Sequence, residues 1–362
     1  MVIENSRSLR KLITDLDSVL DEEIELTSLL NEYLRLQEEG IAETKPFRRK
    51  EEFERDFLAS FPYLSRSSLK SVKSLLFQSV KPIDDLSFVL DNPYYACLSG
   101  LSISEGPIGL KMKDVPSGRL FPYSSYSQGP APFYMEMPSF AYSSKSFSYP
   151  VFEKDGRPWM SLVPHEISTM EEAIKKSHGE VLTYGLGMGY FAFSCCQKEN
   201  VKRVTVIESD EEIIAFFNAH LLPFFPKGKL HIEKADALEF ARRHRDHAYD
   251  YLFADIYHDA EDGLPLYIAL KQNEGAAKTS DYWIEGDLLV YLRRYVIAYL
   301  NEQLDPEILA FGDRQYKESK SAESKIYALV HKSLKNVVLK DESYLSSLLS
   351  DSSLKKIILG TI

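Results

Sequence analysis

The chain has 362 residues, a hydrophobic fraction of 44% and a formal net charge of −11, which describes a globular protein with material for two or three domains. Its acidity, with no long basic run, argues against binding a phosphate backbone, so no nucleic-acid partner is expected. Cys97, Cys195 and Cys196 are too few, and odd in number, for a disulfide framework; no stretch is apolar enough for a membrane span, and the N-terminus lacks a signal core, so a cytoplasmic protein without a membrane partner is expected.

Residues 1–90 read as an N-terminal helical region. Leu9, Leu12, Ile13, Leu16, Val19 and Leu20 recur at helical spacing, and Leu26, Leu29, Leu30, Tyr33 and Leu34 continue the stripe. The stripe either packs within its own domain or makes a homodimer contact. Arg48-Arg49-Lys50, followed at once by acids, reads as a solvated helix start. A second helix is predicted from Ser67 to Gln78, with Leu69, Val72, Leu75 and Leu76 on one face. Residues 91–158 are rich in Pro, Gly, Ser, Tyr and Phe, which break helices and suit short strands and ordered loops. The aromatics argue against disorder. This segment either covers a site or forms a small β-rich subdomain. Asp91-Asn92-Pro93-Tyr94 within it reads as a turn.

From residue 159 to 362 strand-like and helix-like segments alternate, as in an α/β domain. Strands are predicted at Val181–Tyr184, Val204–Ile207, Leu230–Ile232 and Tyr251–Ala254. Helices are predicted from Tyr190 to Gln197, where Cys195 and Cys196 serve as small packing residues, from Asp210 to Ala219, and from Ala237 to Arg243. Tyr282-Trp283-Ile284 is the candidate fifth strand. Leu288 to Leu300 reads as a long helix, Ile326 to Val337 as another, and Asp351 as the cap of a last one.

The chemistry concentrates after the first of these strands. Gly185-Leu186-Gly187-Met188-Gly189 lets a backbone approach a ligand closely and aims helix N–H groups at it. Dinucleotide binding wants G-x-G-x-x-G; here the third glycine comes one residue early, and Tyr190 stands where the dinucleotide pattern wants glycine. Glu208 ends the second strand 23 residues after Gly185, near the spacing of an acid that accepts ribose hydroxyls; otherwise it is an exposed acid before a helix with Ser209 and Asp210. After the third strand comes Asp236-Ala237, either an adenine contact or a helix N-cap. After the fourth comes Asp255-Ile256-Tyr257-His258-Asp259, where ligands of open α/β sheets sit. Asp255 and His258 are the candidate catalytic residues, able to orient or deprotonate an acceptor. His258 has no second ligand at metal-binding spacing, so no metal is expected.

Taken together, the G-x-G-x-G loop, Glu208, Asp236-Ala237 and Asp255 resemble the class I S-adenosylmethionine-dependent methyltransferases over residues 181–259. The resemblance implies a Rossmann-like α/β fold with S-adenosylmethionine held by Gly185, Gly187, Gly189, Tyr190, Glu208, Ser209, Asp236 and Ala237. Within that superfamily the chain is most similar to the spermidine synthase branch. Thr183 stands where many methyltransferases carry an acid, and Pro164-His165-Glu166 lies about 20 residues before the loop, matching a Tyr-His-Glu stretch of that branch. By this resemblance His165 and Glu166 lie near the ligand's tail or the acceptor; otherwise they cap a helix through Met170 to Lys175. Three departures speak against polyamine synthesis. Met188 replaces the loop aspartate that holds the amine of decarboxylated S-adenosylmethionine, Pro164 replaces the tyrosine, and Asp255 and Asp259 are four apart rather than three. The expected function is methyl transfer to a small-molecule acceptor. Aminopropyl or aminocarboxypropyl transfer is one alternative, and a silent ligand-binding module that recruits a partner through residues 1–90 is another.

Overall fold

A computed structural model describes residues 1–4, 6–305 and 321–362. The chain opens with β1 (Val2–Ile3) and then α1 (Arg7–Glu38), whose N-cap Ser6 accepts a hydrogen bond from the Leu9 amide. The apolar stripe of α1 is buried along its length but divides between two cores. Leu9, Leu12, Ile13 and Leu16 join the core of the main sheet. Leu26, Leu29, Leu30 and Tyr33 pack instead with α2 (Lys50–Ala59) and α3 (Arg66–Ser79). The face that suggested a dimer contact is therefore covered within a single chain. Val72, Leu75 and Leu76 of α3 are buried as expected; the side chain of Leu69 lies outside the described residues.

The Pro- and Tyr-rich segment forms two small sheets. β2 (Val80–Pro82), α4 (Ser87–Leu90) and α5 (Pro93–Leu98) lead into them. β3 (Ile103–Glu105), β4 (Ile108–Val115), β5 (Leu120–Gln128), β6 (Glu136–Tyr142), β7 (Phe147–Lys154) and β8 (Arg157–Ser161) pair in the orders β2-β6-β5 and β3-β4-β7-β8. Asp91-Asn92-Pro93-Tyr94 is not a free turn. The Asn92 side chain caps α5, accepting from the Tyr94 and Tyr95 amides, with Pro93 at the first helical position, where a missing N–H costs nothing.

The third region is a doubly wound unit. α6 (Pro164–Lys176) precedes β9 (Gly179–Tyr184), α7 (Tyr190–Cys196), β10 (Val201–Glu208), α8 (Glu211–His220), β11 (Leu230–Lys234), α9 (Ala237–Arg243), β12 (Tyr249–Ala254), α10 (Ala260–Gln272), β13 (Ala277–Tyr282) and α11 (Glu285–Glu302). The sheet is wholly parallel, with order β11-β10-β9-β12-β13. Its central strands β9 and β12 carry runs of buried residues because helices cover both faces. Cys195 and Cys196 are buried in α7, and burial pushes their thiols up to about 12 and about 11, as suits packing residues.

The fifth strand lies earlier in the chain than Tyr282-Trp283-Ile284. β13 is an edge strand, so Lys278, Thr279, Ser280 and Asp281 are tolerated in it and hide it from an apolar search. Trp283 and Ile284 form the turn into α11, and Ile284 adopts a left-handed φ of 44°, a costly conformation for a β-branched residue. Helices Ala322–Leu334, Glu342–Leu348 and Asp351–Leu359 close the chain, and β14 (Val338–Leu339) pairs in parallel with β1. The last helix is capped by Ser350 rather than Asp351; the Ser350 hydroxyl accepts from the Ser353 amide. Asp351 instead pairs with Arg293 of α11, which is 1% exposed and also pairs with Glu136 of β6. Glu136 in turn donates its amide to Glu23 of α1. Among the described residues no helix is long and apolar enough to cross a membrane.

Candidate active site at the carboxyl edge of the sheet

The glycine loop joins β9 to α7 at the point where neighbouring strands diverge to either side, the switch point at which open α/β sheets bind ligands. A side chain on Gly185 would overlap the backbone carbonyl of Asp255; this glycine lets the ends of β9 and β12 meet. Gly187, with φ 51°, is different, because a side chain there would meet only the Met160 thioether. Its backbone is thus walled off by one flexible group. Gly189 packs against the Phe217 ring. Tyr190 begins α7 with its ring turned inward, and its hydroxyl accepts from Asn92 Nδ2 at 3.2 Å. The Tyr94 hydroxyl donates to the Met188 carbonyl, so α5 buttresses the loop from behind.

In front of the loop lies a cleft of about 280 Å³. Gly185 and Gly187 form its floor, and Glu208, Ser209, Asp255 and Glu166 supply its polar groups. Glu208 ties the loop to the end of β10: one carboxylate oxygen accepts from the Leu186 amide at 3.0 Å and the other from the Asp210 amide at 2.8 Å. A smaller cavity of about 20 Å³, room for roughly one water, adjoins it and is lined by Leu162, Met170, Thr183, Met188 and Tyr190. Met160, Glu166 and Asp255 border both spaces.

The carboxylates perturb one another. Burial pushes the Asp255 carboxyl up to about 7, and the Glu208 charge adds to the effect. Burial raises Glu166 well above the usual carboxylate range, with the Asp255 charge contributing. No described residue donates a hydrogen bond to the Asp255 carboxylate, which faces the cleft. His165 is one residue away from Glu166 but does not line the cleft. Its ring lies edge-on to Trp283 at 6.0 Å, and burial pushes it down to about 4, so it is neutral.

His258 lines the cleft from the other side, yet it does not bond to Asp255. Its Nδ1 lies 3.0 Å from Asp262 and its ring meets Trp159 edge-on at 4.8 Å. Asp259, the second acid of the loop after β12, caps α10 in a capping box with Asp262. Asp236 caps α9, accepting from the Glu239 amide at 2.8 Å, and neither it nor the buried Ala237 lines the cleft. The helix-capping role expected of Asp236 is thus present in the fold.

Lining residues that escaped sequence reasoning include Trp159, Met160, Ile213 and Trp283. The Tyr257 hydroxyl donates to the Trp283 carbonyl at 2.6 Å, and the Trp283 indole donates to Thr169 at 2.9 Å. One signal was present, since the chain has only two tryptophans and both line this cleft.

No protein-family profile and no curated protein matches the sequence. Among solved structures, the chain is similar to a spermidine synthase from Thermotoga maritima, with 17% identity and a TM-score of 0.28 over 35% of this chain. It spans 48%, about half, of that enzyme's length. A coclaurine N-methyltransferase bound to N-methylheliamine and S-adenosylhomocysteine is similar at 13% identity and a TM-score of 0.24, over 75% of this chain and 63% of that one. The parallel β11-β10-β9-β12-β13 order, with a glycine loop after its central strand, gives this chain a doubly wound, Rossmann-like α/β fold.

Proposed function

We propose that this chain is a transferase that binds S-adenosylmethionine in the cleft before the glycine loop and moves its methyl group to a small acceptor. The observation that carries the reading is the convergence of Gly187, Glu208, Asp255 and Glu166 on one cleft at the switch point of the sheet. The fit is favourable at two places. Gly187 is covered only by the flexible Met160 thioether, and the Glu208 carboxylate, held by two amides, retains lone pairs for a pair of hydroxyls. Gly185, Gly187 and Glu208 would hold the nucleoside, with Ser209 beside them. When bound, S-adenosylmethionine supplies an electrophilic methyl on a sulfonium, which becomes a thioether as the acceptor's lone pair takes the methyl.

The residues of the chain do the rest. Trp159, Tyr257 and Trp283 wall the cleft and exclude water, and an in-line displacement gains most from such positioning. Asp255, titrating near neutrality, suits the removal of a proton from an acceptor at the pH where both forms are populated. His258, already engaged with Asp262, acts as part of the wall.

One observation favours a second reading. Three carboxylates and no lysine or arginine line the cleft among the described residues, so no cation awaits the carboxylate of the amino-acid tail. Glu166 reaches the small cavity beside Met188, where an ammonium would find a partner. That arrangement suits aminopropyl transfer from the decarboxylated ligand. Isothermal titration with S-adenosylhomocysteine tests the binding site, and Gly187→Asp should abolish the heat. Mass spectrometry of the nucleoside product separates the two reactions: S-adenosylhomocysteine marks methyl transfer and methylthioadenosine marks aminopropyl transfer. Absence of binding by the wild-type chain to S-adenosylmethionine, its decarboxylated form and their products refutes both.

A further inference from the structure

The hairpin of β7 and β8 contributes Trp159 and Met160 to the wall of the cleft and is fastened beside it at three points. Lys154, at the end of β7, forms an ion pair with Asp210 and another with Glu212 at 3.3 Å, both at the start of α8. Trp159 meets His258 edge-on. Met160 places its thioether over Gly187. The hairpin turns at Asp155-Gly156, where both residues have positive φ, the tight geometry of a two-residue connection. β8 is the outermost strand of its sheet, bonded only to β7, and the pairing is irregular between Phe152 and Glu153. The strand that covers the site is thus held by few backbone bonds and by a latch of side chains.

Met160, together with Gly185, Glu166 and Asp255, also separates the two cavities. It borders the 280 Å³ cleft and the 20 Å³ cavity alike. Neither space alone reaches the roughly 300 Å³ at which small-molecule pockets begin. Methionine suits a partition that moves, since its three rotatable bonds let it repack at little cost.

We infer that Met160 is a gate residue, and that the β7–β8 hairpin latched by Lys154 to Asp210 carries the gate. A ligand whose tail passes over Gly187 displaces the Met160 side chain and joins the two cavities. The latch ends two residues beyond Glu208, so closure of the hairpin and occupation of the nucleoside end of the cleft are mechanically linked. This inference rests on the reading of the cleft as a nucleoside site. Met160 and Lys154 act by admitting and retaining ligand, so they are positioning residues.

Two experiments separate the latch from the ligand. In the ligand-free protein, hydrogen exchange of the amides of Arg157, Trp159, Met160 and Ser161 is compared between wild type and Lys154→Met. Exchange should accelerate about fivefold, the scale of a partly buried ion pair; unchanged exchange overturns the latch whatever the cleft binds. Tryptophan emission, which in this chain comes only from Trp159 and Trp283, follows S-adenosylhomocysteine binding by stopped flow. Met160→Ala and Lys154→Met should each raise the association rate about fivefold or more, and Lys154→Met should raise dissociation as well. A raised dissociation rate with unchanged association in both variants makes Met160 an ordinary contact and overturns the gate. Failure of the wild-type protein to bind in calorimetry overturns the nucleoside reading and the gate together, while the exchange experiment still decides the latch.

Discussion

Replacing Asp255 by Asn should stabilise the fold at neutral and alkaline pH while removing activity. In the folded chain the Asp255 carboxyl holds its proton up to about pH 7, whereas the unfolded chain releases it near the ordinary 3.8. Below pH 4 both states are protonated and the substitution is neutral. As pH rises from about 4 to 7 the unfolded state alone loses the proton, so stability falls; above 7 the full cost of a buried charge is present. A proton held over that interval corresponds to about 4 kcal/mol, and access of water through the cleft reduces it to about 2–4 kcal/mol. At about 2.1 cal/mol/K per residue, this is about 3–5 °C in melting temperature for 362 residues. Asparagine fits the same volume and also relieves Glu166 of its charged neighbour. The assay is a thermal melt of both proteins in steps from pH 4 to 8. The difference should be near zero at the acid end and reach its plateau by pH 8. A constant difference across the range, or a wild type more stable than the variant at pH 8, refutes the argument.

Other outcomes follow from the same geometry. Gly189→Ala forces a side chain into the Phe217 ring at a φ of +87° and should cost about 2–4 kcal/mol in urea unfolding. Gly187→Ala meets only the flexible Met160 thioether but sits at a φ of +51°, so it should cost about 1–2 kcal/mol in urea unfolding, less than Gly189→Ala, while weakening S-adenosylhomocysteine binding in calorimetry. Glu208→Gln should weaken the same binding about tenfold, the scale of one charge-assisted hydrogen bond. Arg293→Met leaves Glu136 buried without its partner and should cost about 3–5 kcal/mol in chemical denaturation.

The parts of this architecture fixed by local backbone rules were legible in the sequence. The glycine loop, the acid at the end of β10 and the alternation of strands and helices all follow from short-range pattern, and they stand where the pattern predicts. Asp236 was ambiguous for a physical reason: the carboxylate that contacts an adenine and the carboxylate that caps a helix occupy the same place after a strand. β13 was misplaced because an edge strand tolerates the polar residues that usually mark loops. The part of the cleft wall that comes from outside the glycine loop and the loop after β12 was not legible from local pattern. Trp159 and Met160 arrive on a hairpin from another sheet, and Trp283 is aimed by a left-handed Ile284 that no propensity favours. Asn92 and Tyr94 support the loop across nearly a hundred residues of chain, a distance over which composition says nothing.

The pairing of β1 with β14 sets the order in which this protein can be completed. Val2 and Ile3 wait for Val338 and Leu339, so this short strand is fastened only by residues that lie far along the chain from it. Until then the first half of α1 can settle only loosely on the sheet, and contacts this distant in sequence make the final assembly slow. A nascent or truncated chain ending after β13 would hold the glycine loop and the acids of the cleft, yet it would lack the strand that anchors its own beginning. Such a fragment should leave β1 unpaired and be cleaved by proteases more readily than the chain that carries β14.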